Sequence, residues 1–192
     1  MAEYRRPDHF TKKAKAMGYA ARSVFKLEEL DERFRLVRRG GTAIDLGCFP
    51  GSWSRYLLER GMKVVGVDLK APELAGGTWI ARSVMEVEAP ELLAPLGGAR
   101  VDLLVSDMAP NTSGDRFTDH VRQIGLAERA LALAGEVLKP GGAFVAKVFE
   151  GGDAPAYVKA VEARFTATKR VKPDATRDRS VEFFVVATGF RG

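Results

Sequence analysis

Two stretches of this chain, VDLLVSD (101–107) and GAFVAKVF (142–149), are apolar almost without interruption. A strand with one wet face alternates apolar and polar residues. A strand apolar throughout must be covered on both faces, as central strands of parallel sheets are. Shorter apolar runs surround these two and alternate with amphipathic segments. From about Ser23 to Phe34, Val24, Leu27, Leu30 and Phe34 recur on one helical face. TAIDLG, MKVVGVDL and TWIARSV read as strands, with a helix from about Ser52 to Arg60 between the first two and a small helix over 89–96. Further helices are predicted over Thr118–Leu138 and Pro155–Phe165. TATKRVKP and VEFFVVATG follow with no room for a crossover helix, so they read as a hairpin containing one antiparallel strand. The pattern predicts a doubly wound α/β sheet, mostly parallel, with helices on both faces.

In such a sheet, ligands bind beyond the carboxyl ends of the strands. The first strand runs into DLGCFPGSW, where Gly47 permits a tight turn, Pro50 stiffens it and Gly51 lets the backbone approach a ligand. This is not the GxGxxG that presses a pyrophosphate onto a helix N-terminus. Its looser spacing and its acid, Asp45, suit a ligand without phosphate. S-adenosylmethionine, with a cationic sulfonium and ammonium, is such a ligand. Asp68 ends the next strand 21 residues past Gly47, the position from which an acid reaches ribose hydroxyls in related folds.

Four further residues break their surroundings. Asp107 and Lys147 end the two apolar strands, Lys26 lies in ARSVFKLEEL and Glu182 in SVEFFVVATG. A charge inside an apolar strand is costly unless it is paired or used. Two lysines and two acids around a methyl-donor loop suit methylation of a ribose 2′-hydroxyl, which becomes nucleophilic as its proton leaves. A lysine takes that proton only when neutral, and in water about one lysine in a thousand is neutral near pH 7.4. A neighbouring cation and burial raise that fraction, whereas carboxylates lower it. Lys147 is the expected base, with Lys26 as the nearby cation, Asp107 orienting Lys147 and Glu182 holding Lys26.

Charge and cysteine content narrow the remaining choices. Residues 1–39 hold eleven Lys and Arg against six Asp and Glu, and the rest of the chain holds nineteen of each, so the whole net charge of +5 lies at one end. A basic leader on a neutral body points to a polyanionic partner. We therefore expect an RNA-binding arm over residues 1–22 and a catalytic domain over 23–192. Candidate RNA contacts are Lys12, Lys13, Lys15, Tyr19 and Arg22 on the arm, and Arg177 and Arg179 before the last strand. Tyr19 or Phe10 would either stack on an unpaired base or anchor the arm. The single cysteine, Cys48, excludes an internal disulfide and reads as a small buried side chain, and His9 and His120 make no zinc motif, so no metal is expected. With no apolar run near ~20 residues and no signal-peptide pattern, a cytoplasmic monomer away from membranes is expected.

The segments KAKAMGYAARSVFKLEEL, DLGCFPGSWS, VDLLVSDMAPNTSG, LKPGGAFVAKVFEG and RVKPDATRDRSVEFFVVATG closely resemble the RrmJ/FtsJ family of ribose 2′-O-methyltransferases, in particular its bacterial large-subunit rRNA members. The resemblance runs from about His9 to Gly189. It implies a seven-stranded Rossmann-like methyltransferase sheet with S-adenosyl-L-methionine as cofactor. It also implies a Lys-Asp-Lys-Glu tetrad at Lys26, Asp107, Lys147 and Glu182, and cofactor contacts at Gly51, Trp53, Asp68 and Asp107. The implied substrate is a uridine in the A-loop of 23S rRNA, in the assembled large subunit. The family often has an acid for the adenine amino group after the third strand. Ser83 stands there in this chain, so Ser83, a backbone group or Glu86 would make that contact. Methylation of a tRNA anticodon loop is the alternative substrate. A nicotinamide-dependent oxidoreductase and a non-catalytic RNA-binding module are the alternatives of a different class.

Overall fold

The computed structural model describes residues 9–111, 113–176 and 180–192. Arg177 and Arg179 therefore lie outside the described residues. Helices α1 (His9–Ala16) and α2 (Val24–Phe34) precede β1 (Thr42–Leu46), α3 (Ser52–Glu59), β2 (Lys63–Asp68) and β3 (Thr78–Ala81). Then follow α4 (Ala89–Leu93) with a 3₁₀ turn over Ala94–Leu96, β4 (Val101–Ser106), α5 (Arg116–Val137), β5 (Leu138–Phe149), α6 (Ala154–Glu162), β6 (Phe165–Val171) and β7 (Glu182–Phe190). The strands form one seven-stranded sheet in the order β3-β2-β1-β4-β5-β7-β6. All neighbours are parallel except β7, which runs antiparallel to both β5 and β6. Among the described residues, no helix is long and apolar enough to cross a membrane.

Alternate side chains of the buried strands feed two cores. Ile44, Leu46, Val65, Phe144, Ala146 and Val185 pack beneath α4, α5 and α6. Ala43, Val64, Leu103, Val145, Phe184 and Val186 pack beneath α1, α2 and α3. Both faces being covered is what makes the central strands near-continuously apolar. Several boundaries differ from the sequence reading by a few residues, β3 stopping at Ala81 and α5 starting at Arg116, and two differences have a visible cause. α6 stops at Glu162 because Phe165 opens β6 instead, its ring lying 5.8 Å from that of Phe144 and 5.3 Å from that of Phe190. β5 begins at Leu138, with a register shift opposite β4 across the Pro-Gly-Gly segment, rather than at Gly142.

The face carrying α1–α3 also carries Lys26, on α2, and Asp31 fixes how that helix sits. Its carboxylate accepts from Val37 N at 2.8 Å and from the hydroxyl of buried Tyr56, on α3, at 3.0 Å. Its main-chain carbonyl accepts from Arg35 N, where the chain turns left-handed at φ 54° to leave the helix. Residues 9–22 are fastened to α3 as well. Arg55 donates to the Gly18 carbonyl, the Tyr19 hydroxyl donates to Glu59 at 2.5 Å, and Ala21 N donates to Ser52 Oγ at 2.7 Å.

Asp31→Ala strands the Tyr56 hydroxyl and the Val37 N–H together. It should cost about 2–3 kcal/mol, lowering the thermal midpoint by roughly 5–10 °C for a domain of this size, as read by calorimetry.

Candidate active site

Strand order reverses between β1 and β4, and a crevice of about 340 Å³ opens at the carboxyl ends there. Gly47 and Phe49 line it from the loop after β1, Asp68 and Leu69 from the end of β2, and Ser83 and Val84 from beyond β3. Asp107, Met108 and Ala109 close it after β4, with Leu126 of α5 behind. The loop geometry follows from its glycines. Gly47 has φ 78°, and a Cβ there would stand 2.7 Å from Met108 Cγ. Gly51, at φ 106°, caps α3. The turn is bound to β2 by Gly47 N–H donating to the Val67 carbonyl at 2.8 Å, and by Phe49 N–H donating to the Asp68 carboxylate at 3.0 Å. The Phe49–Pro50 peptide bond is cis.

The crevice is apolar at its walls and acidic at its floor. Phe49 and Leu69 are large apolar side chains left 49% and 71% exposed at its rim. Asp68 and Asp107 reach the crevice, and Asp45 is buried beneath, its field coupled to theirs. One Asp45 oxygen accepts from Ser54 Oγ at 2.6 Å, whereas the other is buried with no partner among the described residues. Desolvation, opposed by the Ser54 hydrogen bond and reinforced by Asp107 and Asp68, raises the Asp45 carboxyl to about 7. Apolar walls for a planar base, the Asp68 carboxylate, oriented by the N–H groups of Phe49 and Leu69, for a diol and net negative charge for a cation together fit S-adenosylmethionine. Cys48 is 3% exposed, and burial pushes its thiol up, so it serves packing rather than chemistry.

Beside the crevice stand two ion pairs. Lys147 Nζ, whose side chain is 7% exposed, donates to the Asp107 carbonyl at 2.6 Å and to its carboxylate at 3.0 Å. Lys26 Nζ pairs with Glu182, both side chains nearly buried, and lies 5.6 Å from the centroid of Phe184. Lys147 is register partner to Phe184, and Glu182 to Phe149, so all four side chains project to the α1–α3 face. Burial alone would raise the Glu182 carboxyl. The adjacent Lys26 ammonium, with Lys147 behind it, instead holds it below its ordinary range. Glu182, Lys26 and Arg22 line a second cavity of about 200 Å³ with Ser180.

The structure thus gathers Lys26, Asp107, Lys147 and Glu182, and places Gly47, Asp68, Ser83 and Asp107 around one crevice. Other residues read from sequence lie elsewhere. Trp53 is 3% exposed, its indole donating to the Ser23 carbonyl at 2.8 Å and its ring 5.8 Å from that of Phe184. It backs the site and does not line the crevice. Asp45 and Gly51 also lie behind the lining. Glu86 is exposed and outside it, so Ser83 is the polar side chain at the far end. Lys12 and Lys15 are exposed on α1, whereas Lys13 Nζ lies 4.5 Å from the ring centroid of Phe25. Tyr19 is held by Glu59 and by the Arg55 guanidinium 5.0 Å above its ring, and Phe10 packs 5.7 Å from Phe25. Sequence reasoning missed Phe49, Leu69 and Met108 as walls. Each is a large apolar residue directly beside a residue it did single out, which was the available signal.

Residues 19–190 match the FtsJ-like methyltransferase family. The chain belongs to this family. Its methyl donor is therefore S-adenosyl-L-methionine, and the oxidoreductase and non-catalytic alternatives fall away. A Caulobacter protein (strain K31) named ribosomal RNA large subunit methyltransferase E is 47% identical over 188 residues, covering 96% of this chain and 83% of its own. A Granulibacter bethesdensis protein of the same name is 45% identical over 186 residues, covering 96% and 81%. A Plasmodium falciparum crystal structure described as a ribosomal RNA methyltransferase superposes with TM-score 0.81 at 23% identity, over 91% of this chain and 100% of that one. That likeness speaks to the fold.

Asp45 supplies a pH signature. Its folded value, about 7, lies above the ordinary 3.8, so between the two the folded state keeps a proton that the unfolded state has lost. Stability should fall as pH rises through that window and level off above it. The stability of Asp45→Asn relative to the parent should accordingly grow from pH 4 to 7 and then stay constant, as measured by thermal denaturation of the ligand-free protein.

Proposed function

We propose that this chain methylates the ribose 2′-hydroxyl of a uridine in the A-loop of 23S rRNA, on the assembled 50S subunit in the cytoplasm, with Lys147 as the proton acceptor. The observation that carries the reading is the double duty of Asp107, which lines the donor crevice and also holds the Lys147 ammonium through two oxygens. Donor and base therefore meet at one residue. The names of the large-subunit relatives support the substrate class over a tRNA anticodon loop.

Bound S-adenosylmethionine supplies a methyl group on a cationic sulfur. Asp68 would take the ribose diol of the donor, Phe49 and Leu69 would flank its base, Ser83 would meet the base edge, and Gly47 would keep the turn tight against Met108. Asp107 occupies two of the three donor positions on Lys147 Nζ, leaving the third direction for the substrate hydroxyl. Lys147 first releases the proton of that third position to solvent, then takes the 2′-hydroxyl proton on the freed lone pair as the oxygen attacks the methyl group, and passes it on to solvent. Asp107 fixes the line of that approach, and such positioning supplies a large share of the rate in an in-line transfer. Glu182, kept ionised by Lys26, holds the second ammonium beside the base and offsets its charge. Arg22 at the mouth of the smaller cavity, with Lys12 and Lys15 on α1, would hold substrate phosphates, which position RNA without reading its sequence.

The test is transfer of labelled methyl groups to 50S subunits lacking the mark, followed by mapping of the product. A single 2′-O-methyluridine in the A-loop is expected. Lys147→Ala should bind the donor normally and lose roughly 100- to 10,000-fold in transfer rate. A base methyl, a mark on tRNA alone or an unimpaired Lys147→Ala enzyme would sink the reading. Separately, Lys12→Ala and Lys15→Ala should each weaken subunit binding and reduce the salt slope of log K by about 1, with donor affinity unchanged.

A further inference from the structure

β4 stops at Ser106, whose partner Ala146 is the last residue of β5 with a neighbour on that edge. β5 continues through Lys147, Val148 and Phe149, paired on its other edge with β7. Main-chain groups alternate direction along a strand, so the Lys147 carbonyl and the Phe149 N–H point together into the space β4 has left. A buried peptide group without a partner costs roughly 1–3 kcal/mol. Gln123, on α5 and 1% exposed, fills that space. Its Nε2 donates to the Lys147 carbonyl at 2.5 Å, and its Oε1 accepts from Phe149 N–H at 3.0 Å.

One donor and one acceptor, so placed, reproduce what another residue of β4 would have offered. Asparagine has these groups on a shorter stem, glutamate lacks the donor and methionine lacks both. The arrangement is reciprocal. Asp107 must leave the sheet to face the crevice, and the Lys147 side chain takes up the Asp107 carbonyl that this departure frees. The Gln123 side chain in turn takes up the main chain of Lys147.

We propose that Gln123 is a positioning residue for methyl transfer: by standing in for the missing continuation of β4, it fixes the main chain at Lys147 and so the point where Nζ meets Asp107 and the substrate hydroxyl. This rests on Lys147 acting as the proton acceptor. The charged groups facing Nζ are Asp107 from the end of β4, Glu182 from β7 and, behind Glu182, Lys26 from α2. A shift of the β5 main chain changes the distances to all three at once.

The experiment compares Gln123→Met, Gln123→Glu and Lys147→Ala with the parent, measuring donor Kd by calorimetry and kcat, KM and the pH–rate profile on 50S subunits. Both Gln123 variants should lose roughly 10- to 100-fold in kcat, with donor Kd and KM within about threefold and the pH–rate profile displaced. If Gln123→Met does not fold, Gln123→Glu, which keeps the volume and the acceptor for Phe149 N–H, carries the comparison. Superimposable pH profiles and parental kcat in folded Gln123 variants, beside an inactive Lys147→Ala, would overturn the positioning role and leave the base assignment standing. A fully active Lys147→Ala would overturn both.

Discussion

Two ammonium groups sit almost out of water on one face of this sheet, and each requires a carboxylate to stay there. An unpaired buried charge costs several kcal/mol, and removing one partner of such a pair is among the most damaging substitutions a fold can suffer. Much of the architecture can be read as supplying those partners. β4 ends early so that Asp107 can turn toward Lys147. β7 runs against its neighbours, so its first residue, Glu182, faces the last residue of β5. Had β7 been parallel, its first residue would have lain at the opposite end of β5, beside that strand's first residues. α2 is bound through Asp31 to α3, and Lys26 reaches Glu182 across 156 residues of sequence.

The division of labour on either side of Asp107 is electrostatic. Toward the crevice, three carboxylates stand at the ends of β1, β2 and β4, and burial, reinforced by the other two, lets Asp45 keep its proton to near neutrality. Toward the other side, Lys26 and Arg22 outweigh Glu182 and leave the smaller cavity net positive. The two sides of Asp107 thus differ in sign, negative in the crevice and positive toward Arg22.

The central strands were legible because burial on both faces leaves an apolar signature in one dimension. Lys147 and Asp107 were legible because each is an exception to that signature. The glycines at 47 and 51 announced the turn that both φ values require. Other features were hidden for identifiable reasons. Phe165 continues the apolar pattern of α6, and only its packing between Phe144 and Phe190 makes it a strand residue. Trp53 sits in the cofactor loop by sequence, yet its indole turns to α2 and Phe184. The anchoring of Tyr19 depends on Arg55 and Glu59, which lie on a helix some forty residues away. Gln123 carries no charge and lies on the buried face of a long helix, so nothing local marks it. Its purpose is visible only once the end of β4 is known.

The location of Glu182 has a temporal consequence. All the residues that line the crevice precede α6 in the chain, whereas Glu182 opens the last strand. Until the final strand threads between β5 and β6, however, Lys26 has no counter-ion and β5 has a bare edge beside Lys147. The Lys26–Glu182 pair therefore closes only with the last strand in place, and the sheet is complete when it does.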